Sequence, residues 1–418
     1  MFIGTKPKGL NNCSSVIFLI SLVRFKTNRM QYLLKFLKWL GIVLASVLFI
    51  AIIYLYATGK DFLIKAVYVT YLQGHKTAYL DDYSFFDNHI IENGTPQAWN
   101  KSKEYNTVKI TDSLRSIHQK WKSVAYLIIH QDSIWFEEYY DGYTDSSKSN
   151  SFSMAKSMVS AILGKVIETG QITSIHQKVK DFIPELTGPY ADSLKFVDLV
   201  SMSSGMKWDE SYYDPFSITT RLYFDKDIVG TLDQMPINNL PGQSFSYKSG
   251  DTQVLGIAIE RATKRTLSEL ISQYFWKPMG AEHSALWQVD SYKNGIEKAY
   301  CCVASNARDF ARFGKLYLNH GKWNGISLLD STYIQKSIVN TFPESPQYGY
   351  GWWLGKYKEK EYFYMDGHLG QYVIVIPQDE LIVVRLGHGI DGKPRTDPSS
   401  AFNNFIEQAY IMLGDRIK

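Results

Sequence analysis

The chain has 418 residues, 45% hydrophobic and 15% aromatic, enough apolar material for a large buried core, so overall disorder is excluded. Its formal net charge is +4, yet residues 1–60 alone carry eight Lys or Arg (Lys6, Lys8, Arg24, Lys26, Arg29, Lys35, Lys38 and Lys60) and no Asp or Glu. The remainder is therefore net acidic, which argues against a nucleic-acid partner.

The basic excess flanks Leu40 to Ala57, an apolar run whose only polar atoms belong to Ser46 and two tyrosines. At ~1.5 Å per residue, and extended by Phe36 and Trp39, this run can cross a hydrocarbon core. Lys35 and Lys38 put the N-terminus in the cytoplasm by the positive-inside rule. The expected organisation is a cytoplasmic N-terminus (1–36), one transmembrane anchor (37–59), a neck (60–109) and a body (110–418) facing the periplasm or exterior from the inner (cytoplasmic) membrane. A cleaved signal peptide is the rival, but Leu55-Tyr56-Ala57 is a poor small-x-small site. Met30 is an alternative start to Met1, and choosing it would make residues 1–29 spurious.

Cysteine usage predicts no reliance on disulfides. Cys13 lies on the cytoplasmic side without a lipobox, Cys301 and Cys302 are adjacent, and adjacent cysteines rarely bridge. No C-x-x-C pair is present to hold zinc.

The neck is rich in Tyr and Phe, too apolar for a free linker, and is expected to pack on the body. Thr111 to Trp121 reads as a helix. Val124 to His130 and Ile134 to Tyr140, separated by Gln131-Asp132-Ser133, read as a hairpin. Met154 to Thr169 has helical spacing in Met158, Ile162, Val166 and Ile167, and Gly170 ends it. Ile172 to Ala307 reads as a largely helical insertion. Strands return at Tyr348 to Gly355, Tyr362 to Met365, Tyr372 to Ile376 and Leu381 to Leu386, and Ala401 to Leu413 is a last helix. Strands at both ends with helices between imply one sheet assembled from distant segments.

Ser-x-x-Lys occurs at Ser153–Lys156 and again at Ser204–Lys207. In the first, three residues make almost one helical turn, so hydroxyl and amine share a face at a helix start, where free N–H groups favour an oxyanion. In the second, Gly205 ends a helix and Ser204 is a loop residue. A plain N-cap serine with a solvated lysine is the ordinary reading of one such motif. It loses ground because two further elements follow: Tyr247-Lys248-Ser249 before a helix, and His368-Leu369-Gly370-Gln371 at the head of a strand. A serine hydroxyl needs an adjacent base, and a desolvated lysine can be one. No G-x-S-x-G elbow occurs, which disfavours an α/β-hydrolase.

With these motifs the chain resembles the penicillin-recognising serine hydrolases, specifically the class C β-lactamase and esterase branch, over roughly Asp112 to Leu413. The resemblance implies an α/β (α+β) β-lactamase/transpeptidase-like fold, an antiparallel sheet flanked by helices with a largely helical insertion, here preceded by one transmembrane helix. Tyr-x-Ser stands where class C β-lactamases have Tyr-x-Asn, and His-Leu-Gly where they have Lys-Thr-Gly. Both departures, and the segment Trp208 to Pro215, are similar to the 6-aminohexanoate-dimer (nylon oligomer) hydrolases and related esterases.

That likeness implies a two-step acyl transfer on small esters or amides. Ser153 is the expected nucleophile, Lys156 the base helped by Tyr247, and Tyr247 the donor to the leaving group. The backbone N–H groups of Ser153 and Gln371 would hold the oxyanion, Ser249 and His368 would support the network around Lys156 and Tyr247, and Tyr212 and Gly370 would touch substrate. No metal or organic cofactor is expected. A β-lactamase or D,D-peptidase is the rival within enzymes, and a non-catalytic sensor the rival outside them; the intact Ser-Lys-Tyr set speaks against the second.

Overall fold

The computed structural model describes residues 1, 4, 13–393, 397 and 399–417, which form two units, Met1–Ile64 and Lys65–Lys418. Lys6 and Lys8 of the basic flank lie outside the described residues. In the first unit one helix runs Cys13–Ala57, and its stretch Arg29–Ala57 is unburied, long and apolar enough to span a membrane or to serve as a signal sequence.

Twelve strands are described in the second unit: β1 (Asn88–Ile91), β2 (Ser123–His130), β3 (Ser133–Tyr139), β4 (Ser149–Asn150), β5 (Ala285–Gln288), β6 (Val303–Ser305), β7 (Lys322–Trp323), β8 (Ile326–Ser327), β9 (Trp353–Tyr357), β10 (Lys360–Gly367), β11 (Gln371–Ile376) and β12 (Leu381–Gly387). The main sheet is antiparallel, in the order β3-β2-β12-β11-β10-β9, so chain-distant β2 and β12 pair in its interior. The β2–β3 hairpin turns through Gln131 and Asp132, both with positive φ, which matches the twist of the strands.

Helices cover both faces, which is why β2, β11 and β12 are buried nearly throughout instead of alternating. On one face Phe402, Phe405 and Ile406 of the Ala401–Leu413 helix, with Leu114 of the Asp112–Lys120 helix, pack on Tyr126, Ile128, Tyr372 and Ile374. On the other lies the Ala307–Leu318 helix. There a Cβ on Gly314 would stand 2.9 Å from Val373 Cγ1, so glycine permits the close approach.

A second sheet, β1-β5-β6-β4, was not anticipated. Its strands β5 and β6 lie within the stretch read as helical, and at four and three residues they are too short and too buried to show alternation. Its edge strand β1 belongs to the neck, pairing Asn88–Ile91 with Ala285–Gln288. The strand expected at Tyr348 to Gly355 starts only at Trp353, because the chain first loops through Gly351 at φ +75° against Ser160.

Cys301 and Cys302 are joined by a disulfide, contrary to the expectation from their adjacency. The bond closes a ring on itself and ties no distant segments together. Both residues are buried, and Cys302 has φ +76°.

Candidate active site

Ser153 sits in a single 3-10 turn, Phe152–Met154, that runs straight into the Ala155–Glu168 helix. Phe152 has φ +45°, an uncommon conformation for a bulky residue, so the surroundings must hold it. They do so through hydrogen bonds: Phe152 N–H donates to Asn150 Oδ1 (2.9 Å), and Ser151 N–H to Val303 O (2.7 Å). Asn150 is fixed in turn by Asp82 of the neck, whose carboxylate accepts from Asn150 Nδ2 (3.0 Å) and from Tyr223 Oη (2.7 Å). Burial raises the Asp82 pKa to about 6, partly offset by these bonds.

Lys156 is buried one turn after Ser153, and its Nζ donates to Ser153 Oγ (2.9 Å), Ser249 Oγ (3.2 Å) and the Tyr300 carbonyl (2.9 Å). Burial lowers its pKa from 10.5 to about 8, against the opposing pull of Glu210 and Asp366. The neutral amine has two N–H bonds and one lone pair, and its partners decide where each points. Tyr300 O can only accept. The Ser249 hydroxyl donates to Glu210 Oε1 (2.6 Å), so towards Lys156 it also can only accept. The lone pair is therefore left for the Ser153 hydroxyl, the direction a general base requires.

Glu210 is the residue that sequence reasoning passed over. It accepts from Ser249 N–H (2.7 Å) and Oγ, from Trp208 Nε1 (2.5 Å) and from Tyr212 Oη (2.5 Å), linking the segment Trp208 to Tyr212 to the start of the Ser249–Thr263 helix. A carboxylate set among aromatic residues was its signal. Tyr247 lines the same cleft as Ser153, with its ring 5.0 Å from Lys156 Nζ and packed at 5.3 Å on Trp353. Burial holds its phenol well above the usual pKa, so near neutral pH it is a proton donor.

Two expected positions differ. His368 Nε2 faces Thr77 Oγ1 of the neck (3.4 Å), and its ring packs on Phe152, Tyr212 and Tyr213 rather than entering the Lys156–Tyr247 network. Burial lowers its pKa to about 4, so it is neutral at pH 7. Gln371 is fully buried opposite Gly367, with its side-chain amide on the Gly387 and His368 carbonyls; its strand is interior rather than at a sheet edge. The residues that reach the Ser153 cleft here are Asp366 to Gly370, from the end of β10 through the turn ahead of Gln371. Gly367 fits there because a Cβ would collide with the Ser151 carbonyl. Gly370 lines the cleft at φ +82°, and buried Arg385 Nη1 pins the turn by donating to Leu369 O and Gly370 O (2.8 Å each).

Tyr212 also lines the cleft, beside His368. Ser204 of the second Ser-x-x-Lys is buried in a loop, and its hydroxyl donates to Asp251 (2.5 Å), away from Lys207.

Ser153 is partly exposed and opens on two spaces. One is the cleft with Tyr247, Trp353 and Asp366; the other is a largely apolar pouch.

The beta-lactamase family model matches residues 110–397 of this chain. The chain belongs to that family. It is a β-lactamase-related serine hydrolase. Over 294 residues it is 25% identical to the 6-aminohexanoate-dimer hydrolase of Paenarthrobacter ureafaciens, covering 65% of this chain and 74% of that one. A Bacillus anthracis structure described as a candidate 6-aminohexanoate-dimer hydrolase superimposes with a TM-score of 0.70 at 22% identity, over 80% of this chain and 93% of that chain. A family VIII carboxylesterase superimposes with a TM-score of 0.57 at 16% identity, over 78% of this chain and 100% of its own. The beta-lactamase match begins at residue 110, so the neck that holds Asp82 and Thr77 lies outside it.

Proposed function

We propose that this protein cleaves ester or amide bonds of small substrates through an acyl-enzyme on Ser153. The observation that carries the reading is the Lys156 amine, buried and hydrogen-bonded so that its neutral form directs a lone pair at Ser153 Oγ. Lys156 takes the Ser153 proton as Oγ attacks the carbonyl carbon. The Tyr247 phenol then protonates the departing alkoxide or amine, and water repeats the sequence to release the acid. The oxyanion is assigned to the backbone N–H of Ser153 and to that of His368, the first residue after Gly367, in place of Gln371. His368 contributes its backbone, and Tyr212 and Gly370 line the substrate's path.

The 6-aminohexanoate-dimer hydrolase relative favours linear amides or esters over β-lactams, as does the neutral His368. A fixed lysine charge is missing where the lactam carboxylate of a class C substrate would sit, and losing one charge-assisted hydrogen bond costs roughly 1.5–3 kcal/mol, about ten- to a hundredfold. With the full chain in detergent at pH 7, kcat/KM for p-nitrophenyl butyrate is expected to exceed that for nitrocefin at least tenfold. Faster nitrocefin turnover would put a β-lactamase or D,D-peptidase in its place.

The apolar N-terminal helix supports a single-pass anchor in the inner membrane, with residues 1–36 in the cytoplasm and the body outside. Protease added to intact spheroplasts is then expected to remove the body. A body protected until lysis would reverse the topology.

A further inference from the structure

Ser153 lines both the cleft and the pouch, but Tyr247 lines only the cleft. A leaving group must stand where Tyr247 can protonate it, so it departs through the cleft. The rest of the substrate, the acyl chain bonded to Ser153 Oγ, points the other way, into the pouch.

The walls of the pouch are apolar: Ala66, Ala78, Phe152, Pro215, Phe224 and Cys301 contribute. Among the described residues no carboxylate lines it, and its one lysine, Lys76, is exposed to solvent. The wall formed by Ala66 to Ala78 precedes the segment matched by the beta-lactamase family.

Resting on the acyl-enzyme reading above, we infer that the pouch is an acyl-chain pocket and that the substrate class is esters or amides of uncharged, apolar carboxylic acids. This departs from what the name of the 6-aminohexanoate-dimer hydrolases describes. The acyl half of such a dimer ends in an ammonium group, for which the pouch offers no counter-charge, and a buried unpaired cation is strongly disfavoured.

The test uses two isomeric esters of equal size, ethyl octanoate and octyl acetate, with the full-length protein in detergent and acid release followed by pH-stat. Full burial of one methylene is worth up to about fourfold in kcat/KM. Ethyl octanoate is therefore expected to be the better substrate at least tenfold, and ethyl hexanoate to exceed ethyl 6-aminohexanoate at least tenfold. Ala78→Phe, which fills the pouch from its neck wall, is expected to lower the ethyl octanoate to ethyl acetate ratio at least fivefold. Equal rates for the two isomers, preference for octyl acetate, or preference for the amino ester would each overturn the inference, whatever the variant does. If p-nitrophenyl acetate is cleaved but neither isomer is, the inference also falls while the acyl-enzyme reading stands. If no ester is cleaved and no serine is labelled by a fluorophosphonate, both fall.

Discussion

Replacing Ser153 by alanine is expected to lower kcat for p-nitrophenyl butyrate by about 10⁴-fold or more. The acyl-enzyme route then has no nucleophile, and what remains is oxyanion binding and substrate positioning, which in comparable hydrolases leave only a small residue of activity. The fold should tolerate the change. Ser153 is partly exposed, its hydroxyl is one of three acceptors for Lys156, and loss of one hydrogen bond costs about 1 kcal/mol. The measurement pairs the rate with fluorophosphonate labelling and a urea titration. A folded Ser153→Ala protein that keeps more than about a hundredth of the rate, or is still labelled, would place the nucleophile elsewhere.

The second large effect belongs to Lys156. Its folded pKa of about 8 means that the neutral, basic form is about 1% populated at pH 6 and about 90% at pH 9. The expected kcat/KM profile therefore rises about tenfold per pH unit up to pH 8 and levels above it. Lys156→Met is expected to lose about 10²- to 10⁴-fold and to lose the rise. A wild-type profile that is flat between pH 6 and 9, in a protein that remains folded, would remove Lys156 as the base.

The same shift bears on stability. The folded pKa lies below the unfolded value of 10.5, so this group's contribution is fully present only above pH 10.5 and is lost as pH falls to about 8. Below that, keeping the ammonium buried costs about 3 kcal/mol, an order-of-magnitude figure from the size of the shift.

Local spacing in the sequence was enough for the elements whose pattern is local. Three residues between Ser153 and Lys156 make nearly one helical turn, so their side chains meet. The Gln131–Asp132 turn and the final helix Ala401–Leu413 are also written in short-range pattern, as is the apolar stretch ending at Ala57. Strands β5 and β6 left no such trace, because three or four residues buried on both sides have no period to read.

Chain-distant contacts decided the rest. Glu210 lies 39 residues from Ser249, and only their hydrogen bond makes Ser249 an acceptor towards Lys156 and turns the amine's lone pair to Ser153. Asp82 lies 68 residues from Asn150 and holds, through it, the positive φ of Phe152. The burial of Gln371 away from the cleft, the bonding of Cys301 to Cys302 and the apolar pouch likewise depend on how the chain closes around the site. The sequence by itself determined which groups could perform acyl transfer, because reactivity follows side-chain chemistry and helical spacing. Only the tertiary structure decided their hydrogen-bond directions, their burial and the shape of the space beside Ser153, because each of these is set by residues far away along the chain.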